Sequence, residues 1–486
     1  MGALKQLNSQ QLKNFFQIEK EAHIPERILQ IGEGNFIRGF IDWMVYVLNQ
    51  KTDFQGKIVT LQSTPKGRTG PKLNQQDGLY TLIRRGIENG ETVEHIDIID
   101  SISRAINPYE EWEKMLGIAT SENIEFLFSN TTEAGLKYKK EEYHQNRSPI
   151  TFPGKVVALL HHRFVFFNSA AEKGWTIIPC ELVEDNGEVL KEICNQIITD
   201  WDLGNDFREW LNTNCCFCNT LVDRIVPGYP QDDNQWFNRL GYSDKLLTMA
   251  EPYHLFVIEG DKDLPVKLPF QQAGLNVRFD AIKNYRDMKV KLLNAPHTIL
   301  TTIGLQLGLE TVKQAVEDPL LGAFIKQVMK DEIVTVLPAS VKEKSISYID
   351  DIMERFSNPF LHHYLTDISL NNFSKYHVRV MPIIAANTGH RDCLLFSLGA
   401  LIVYYQNTEN RKDENEVLEA FSELYAGDYR NELILQEFME QQIFKDWLGY
   451  EDELPSLISK VLGYVNLIQE NGMNKALKSF LKVGES

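Results

Sequence analysis

Short apolar runs alternate with longer amphipathic stretches through the first half of the chain. Arg27-Ile28-Leu29-Gln30-Ile31 predicts a strand, a glycine turn follows it, and apolar residues then recur at helical spacing over 35–48. Further strand-like runs occupy 58–61, 124–128 and 175–179, with a helix expected over 155–171. Strands alternating with helices in this way predict an open parallel sheet covered by helices. Two hairpin-like pieces, 79–84 and 92–99, read as an insertion between the early units. From about Asn284 the strand signals thin out and helical spacing dominates. In 414–426, for example, Val417, Leu418, Phe421, Leu424 and Tyr425 share one helical face and predict core packing. The expected architecture is α/β: a Rossmann-like dinucleotide-binding domain with insertions over 1–280, then a mainly α-helical domain over 281–486.

Composition narrows the function classes. A length of 486 residues favours two domains, and 43% hydrophobic with 24% charged residues is ordinary for a globular protein. The formal net charge of −17 opposes the phosphate attraction that dominates nucleic-acid binding, so no nucleic-acid partner is expected. Local positive charge must then be specific wherever an anion binds. The polar stretch Met1 to Lys20 does not resemble a signal peptide and no apolar run approaches a membrane span, which predicts a cytoplasmic protein without membrane contact. Six cysteines are expected to stay reduced, and Cys215-Cys216-Phe217-Cys218 lacks a second ligand pair at zinc spacing, so no metal is expected. Size and composition are compatible with a monomer or a small homo-oligomer.

Candidate chemistry lies at two places. Gly32-Glu33-Gly34-Asn35-Phe36-Ile37-Arg38-Gly39 follows the first strand and opens the first helix, where dinucleotide folds seat a pyrophosphate. The spacing is GxGxxxxG rather than GxGxxG, so an ordinary strand-to-helix turn fits the same residues. Gly32, Gly34, Asn35 and Phe36 are the candidate contacts, and Arg38 offers either a charge near the phosphates or a helix cap. Ser63, at the predicted end of the second strand, has no acidic neighbour in Gln62-Ser63-Thr64, and Lys66 and Arg68 lie just beyond. A 2′-phosphate, and hence NADP, stays open beside NAD on these residues. Asn130 and Thr131 follow the 124–128 strand and suit either the nicotinamide ribose or a plain polar turn.

The second place is Lys289-Val290-Lys291-Leu292-Leu293-Asn294-Ala295-Pro296-His297. A lysine held among apolar groups loses solvation of its charged form, which suits it to proton transfer with a reacting hydroxyl. On an unbroken helix Lys289, Asn294 and His297 would spread over roughly 140°, with the outer two about 12 Å apart along the axis. Pro296 cannot donate its backbone hydrogen bond, so a kink or restart is expected near Asn294 and would let the three converge. Asn294 can then stabilise an alkoxide, and His297 can hydrogen-bond the substrate or relay a proton. Singly, each also reads as a surface lysine, a helix cap and a core histidine.

Lys289, Asn294 and His297 resemble the Lys-x-x-x-x-Asn-x-x-His signature of the mannitol dehydrogenase family of polyol-specific long-chain dehydrogenases. The resemblance also covers Gly32 to Arg38, Gln76-Asp77-Gly78-Leu79-Tyr80, Thr132-Glu133, Asn186-Gly187, Val222-Asp223-Arg224-Ile225, Arg355-Phe356-Ser357-Asn358-Pro359 and Ser374-Lys375. It implies a metal-independent oxidoreductase that uses NAD, with Lys289 as the acid–base residue. Polyol-oxidising relatives carry Asp-Asn where this chain has Glu181-Leu182, and a family arginine aligns with Asp367. Those departures put the polyol-binding set in doubt and fit a substrate whose carboxylate is held differently; the resemblance implies an open-chain sugar acid, a hexuronate. Glu181, Lys375 and Arg379 are the substrate-binding candidates, with a surface position equally open for Arg379. Other activities of the family, and a non-catalytic nicotinamide-binding sensor, are the competing readings.

Overall fold

The computed structural model describes residues 4–16, 24–361, 363–406, 412–427, 432–444 and 452–482. Of the polar N-terminal stretch, residues 1–3 and 17–20 lie outside them. Two compact units are present: Met1–Arg85 with Thr92–Ile282, and Lys283–Ser486 with the hairpin tip Gly86–Glu91.

Strands β1 (Glu26–Ile31) and β2 (Lys57–Leu61) open the first unit. The hairpin strands β3 (Tyr80–Glu88) and β4 (Glu91–Ile99) precede β5 (Ile102–Ile106), β6 (Phe126–Ser129), β7 (Thr176–Pro179) and β8 (Cys216–Phe217). The main sheet runs in the order β5-β2-β1-β6-β7-β8 with all strands parallel. Chain order therefore reverses between β1 and β6, which is the doubly wound arrangement whose ligands bind beyond the carboxyl ends of the strands at that point. The strands are mostly apolar because both faces are covered. Ile28, Ile58, Ile102 and Phe128 pack on one side with the helix Trp43–Lys51, while Leu29, Val59, Leu127 and Ile177 pack on the other with Phe152–Phe166 and Asn186–Asp200. Truncating one of these side chains, such as Leu29→Ala, costs about 2–5 kcal/mol.

The predicted insertion is present. β3 joins β4 and a later strand, β10 (Thr248–Ala250), in a sheet of order β10-β3-β4. A further sheet joins β9 (Asn219–Asp223), β11 (Leu255–Glu259) and β12 (Val277–Phe279). The helix expected over 155–171 is Phe152–Phe166: Thr151 caps it by accepting from Gly154 N–H, and Asn168 and Ser169 adopt φ of 50° and 58°, which ends it early.

Helices make up the second unit. Asp392–Gln406 is apolar on all sides and packs between Ala295–Gln306 and Leu454–Asn471. On Asn415–Ala426, Phe421 and Leu424 are buried, as the 414–426 stripe predicts. No helix among the described residues is long and apolar enough to cross a membrane.

Candidate active site

The first unit carries a cleft of about 560 Å³ at the carboxyl ends of β1, β2 and β6, lined by Gly32, Gly34, Asn35, Phe36, Ser63, Asn130 and Thr131. Seven of the eight cofactor candidates thus share one hollow. Gly32 has φ +110°, and a Cβ there would lie 2.5 Å from the Asn130 carbonyl oxygen, so no other residue fits the turn. At Gly39 a Cβ would meet Val226 at 2.9 Å. That glycine serves close packing, which is why its late position in the motif is tolerated. The exposed backbone of the turn and the helix that starts at Asn35 suit a dinucleotide pyrophosphate.

Arg38 sits differently from the expectation. It is buried behind the turn, where its guanidinium donates to the Glu33 carbonyl (2.7 Å), Asn35 Oδ1 (2.8 Å) and Thr248 Oγ1 (3.2 Å). Its role here is to brace the loop from below. Glu181 is also a brace: one carboxylate oxygen accepts from Thr131 N–H (2.8 Å) and Thr131 Oγ1 (3.1 Å), the other from Ser129 Oγ (3.0 Å). Burial pushes the Glu181 carboxyl up, against the pull of those donors. Its neighbour Leu182 is 68% exposed and lines an adjoining hollow with Phe36, Asn130 and Cys180. Sequence reasoning overlooked Glu33, Thr64, Lys137 and Lys139 on the cleft wall. Burial raises the Glu33 carboxyl to about 7, opposed by Arg38 and the Ser63 backbone N–H.

In the second unit the helix Ile282–Lys289 does not break before Pro296. It widens into a single π turn, Val290–Asn294, and continues as Ala295–Gln306. Ala295 N–H reaches back to the Val290 carbonyl, and Pro296, having no N–H, is accommodated at the start of the next turn. A π turn absorbs one extra residue, so Lys289, Asn294 and His297 take the relation of i, i+4 and i+7 and fall within roughly 60° of one stripe. Lys289 and Asn294 are half-buried.

His297 is half-buried with Nε2 enclosed and without a hydrogen-bond partner. Its ring stacks on Phe356 at 4.9 Å and lies 6.1 Å from His363. Burial first, then the positive potential of His363, Arg379, Lys375 and Arg355, lowers its pKa to about 3. The imidazole is therefore neutral at working pH, able to hydrogen-bond but not to act as an imidazolium. Arg379 Nη1 donates to Thr298 Oγ1 (3.3 Å), and Thr298 Oγ1 donates to the Asn294 carbonyl (2.9 Å). Lys375 Nζ donates to the Ile368 carbonyl (3.0 Å). Burial lowers the Lys375 pKa, Arg379 lowers it further and Asp413 opposes both. Lys375 and Arg379 thus meet Asn294 and His297, while Glu181 belongs to the other unit. Arg355 and His363 join them unforeseen, although Arg355 lies in a motif already noted.

The thiols are all unpaired, with Cys216 and Cys218 Sγ atoms 3.7 Å apart. Among the described residues no three or more His, Cys, Asp or Glu side chains converge as a metal site.

The mannitol dehydrogenase Rossmann domain model matches residues 26–269, and the mannitol dehydrogenase C-terminal domain model matches 281–469. The chain belongs to the mannitol dehydrogenase family. As a member it is an oxidoreductase acting on CH–OH groups. It is 43% identical to an altronate oxidoreductase of Halalkalibacterium halodurans, over 95% of this chain and 94% of that one. An altronate oxidoreductase of Bacillus subtilis is 41% identical, over 94% and 95%. Among solved structures, a D-sorbitol dehydrogenase aligns with a TM-score of 0.75 at 21% identity, covering 97% of this chain and 100% of its own. Pseudomonas fluorescens mannitol 2-dehydrogenase, solved with NAD and D-mannitol, aligns at 0.63 and 20% identity, covering 98% and 100%. The two solved structures support the mannitol dehydrogenase fold alone.

Proposed function

We propose that this member of the family reduces the keto group of tagaturonate to the hydroxyl of altronate, reversibly, with NADH and without a metal. The observation that carries the reading is the cationic group formed by Lys375, Arg379 and Arg355 around the neutral His297, on the same unit as Lys289 and Asn294. A sugar carboxylate needs a positive partner, and the protein's overall charge of −17 makes a local anchor necessary. The names of the 43% and 41% identical relatives agree with a sugar acid.

Bound in the first unit's cleft, the nicotinamide supplies the hydride. Asn294 donates its amide to the carbonyl oxygen and stabilises the negative charge that grows there. Lys289 gives its ammonium proton to that oxygen and takes it back in the oxidative direction. His297 holds a substrate hydroxyl through Nε2, and Arg379 and Lys375 hold the carboxylate.

The test is NADH oxidation with tagaturonate, fructuronate and fructose in parallel. Turnover should be highest with tagaturonate and absent with uncharged fructose. A preference for fructose would replace the proposal with a polyol dehydrogenase.

A further inference from the structure

The end of β2 lacks the acidic residue that dinucleotide folds commonly use to hold the adenosine ribose, for Gln62, Ser63 and Thr64 stand there. A carboxylate nevertheless reaches this wall of the cleft from another element. Glu33 sits between the two glycines of the turn, and Gly32 N–H donates to the Leu61 carbonyl at 3.1 Å, which ties the turn to the end of β2. Glu33 is 6% exposed and shares the cleft lining with Ser63, Thr64 and Thr69. The Ser63 backbone N–H faces its carboxylate and favours the ionised form, while Oε2 is buried with no hydrogen-bond partner. Ser63 is itself fixed, since its carbonyl accepts from Tyr109 Oη at 3.1 Å and Lys155 Nζ at 3.3 Å. An enclosed acceptor without a donor costs free energy unless a ligand supplies one. Lys66 and Arg68, which would suit a 2′-phosphate, are exposed and take no part in the lining.

We propose that Glu33 is the residue that recognises the adenosine ribose and sets a preference for NAD(H) over NADP(H), its unpartnered carboxylate oxygen accepting from a ribose hydroxyl and repelling a 2′-phosphate. The inference rests on the reading of the cleft as a nicotinamide dinucleotide site.

Dissociation constants for NADH and NADPH are measured by titration calorimetry on the full chain, with no sugar acid present. The wild type should bind NADH about ten- to hundredfold more tightly, the span of one charge-assisted hydrogen bond. Glu33→Gln, which removes the charge and keeps the shape, should erase most of that preference by weakening NADH and strengthening NADPH. Glu33→Ser, which opens space for a phosphate, should move it further and serves if the amide variant does not fold. Equal binding of both dinucleotides by the wild type, an unchanged ratio in the variants, or an equal loss of both would overturn the assignment of Glu33. If the wild type binds neither, the dinucleotide reading of the cleft falls and takes this inference with it.

Discussion

Among single residues, Arg379 gives the clearest readout of substrate charge. It touches Thr298, which is bonded to the Asn294 carbonyl, so it stands two hydrogen bonds from the backbone of the proposed alkoxide-stabilising residue. Replacing it by methionine keeps much of the apolar stem and removes the guanidinium. Arg379→Met should raise KM for the sugar acid about ten- to hundredfold, as expected for losing a charged hydrogen bond worth about 1.5–3 kcal/mol, with NADH affinity unchanged. An unchanged KM would move the carboxylate anchor elsewhere. Residue types along the chain made Lys289, Asn294 and His297 candidates beside a proline, and the family signature favoured them over the bland readings. They did not reveal that Arg38 and Glu181 point into the fold. Arg38 bonds Thr248, 210 positions away, and Glu181 bonds Ser129 and Thr131 of a neighbouring strand end. Facing inward or outward is decided by those distant partners, which local spacing does not encode.

At the scale of elements, the π turn at Val290–Asn294 aligns the proposed catalytic stripe. The proline gave the location of the irregularity but not its form, because a missing N–H can be absorbed by widening the helix as well as by bending it. Pro296→Ala restores the donor and favours a regular α register, in which Asn294 lies roughly 140° from Lys289. That variant should keep its cofactor affinity while kcat falls at least about tenfold, a loss of roughly 1.4 kcal/mol in the transition state. Wild-type kcat in Pro296→Ala would show that the π turn does not set the alignment. Four of the six parallel strands, β1, β2, β6 and β7, were legible for a different reason: buried on both faces, they are mostly apolar, whereas β5 carries Ser103 and Arg104 and β8 is two residues long. The gathering of Arg355 and His363 beside His297 was not legible, since it depends on how separate helices pack.

On the whole molecule, several buried carboxyls act together on stability. Glu33, Asp42, Glu181, Asp244 and Glu332 are all raised by burial. Asp42 is fully enclosed, neither carboxylate oxygen has a hydrogen-bond partner, and its folded pKa is about 8. In the unfolded chain such a group ionises near 3.9. The folded state then holds more protons between those values, so stability is present at acidic pH and is lost as pH rises through about 8. Asp42→Asn should accordingly raise the melting temperature more at pH 8 than at pH 5. An equal shift at both would mean that Asp42 is ionised in the folded protein. His297 works in the opposite sense: its neutral folded form, with a pKa of about 3, resists protonation while the unfolded imidazole accepts a proton below about 6.5.

All of the proposed chemistry passes its proton through Lys289. The most direct measurement is single-turnover NADH oxidation by Lys289→Ala with tagaturonate, alongside NADH binding by the same variant. NADH should bind as in the wild type while turnover falls by at least about a thousandfold, within the usual range for an acid–base group. Turnover close to the wild-type rate with binding intact would contradict it.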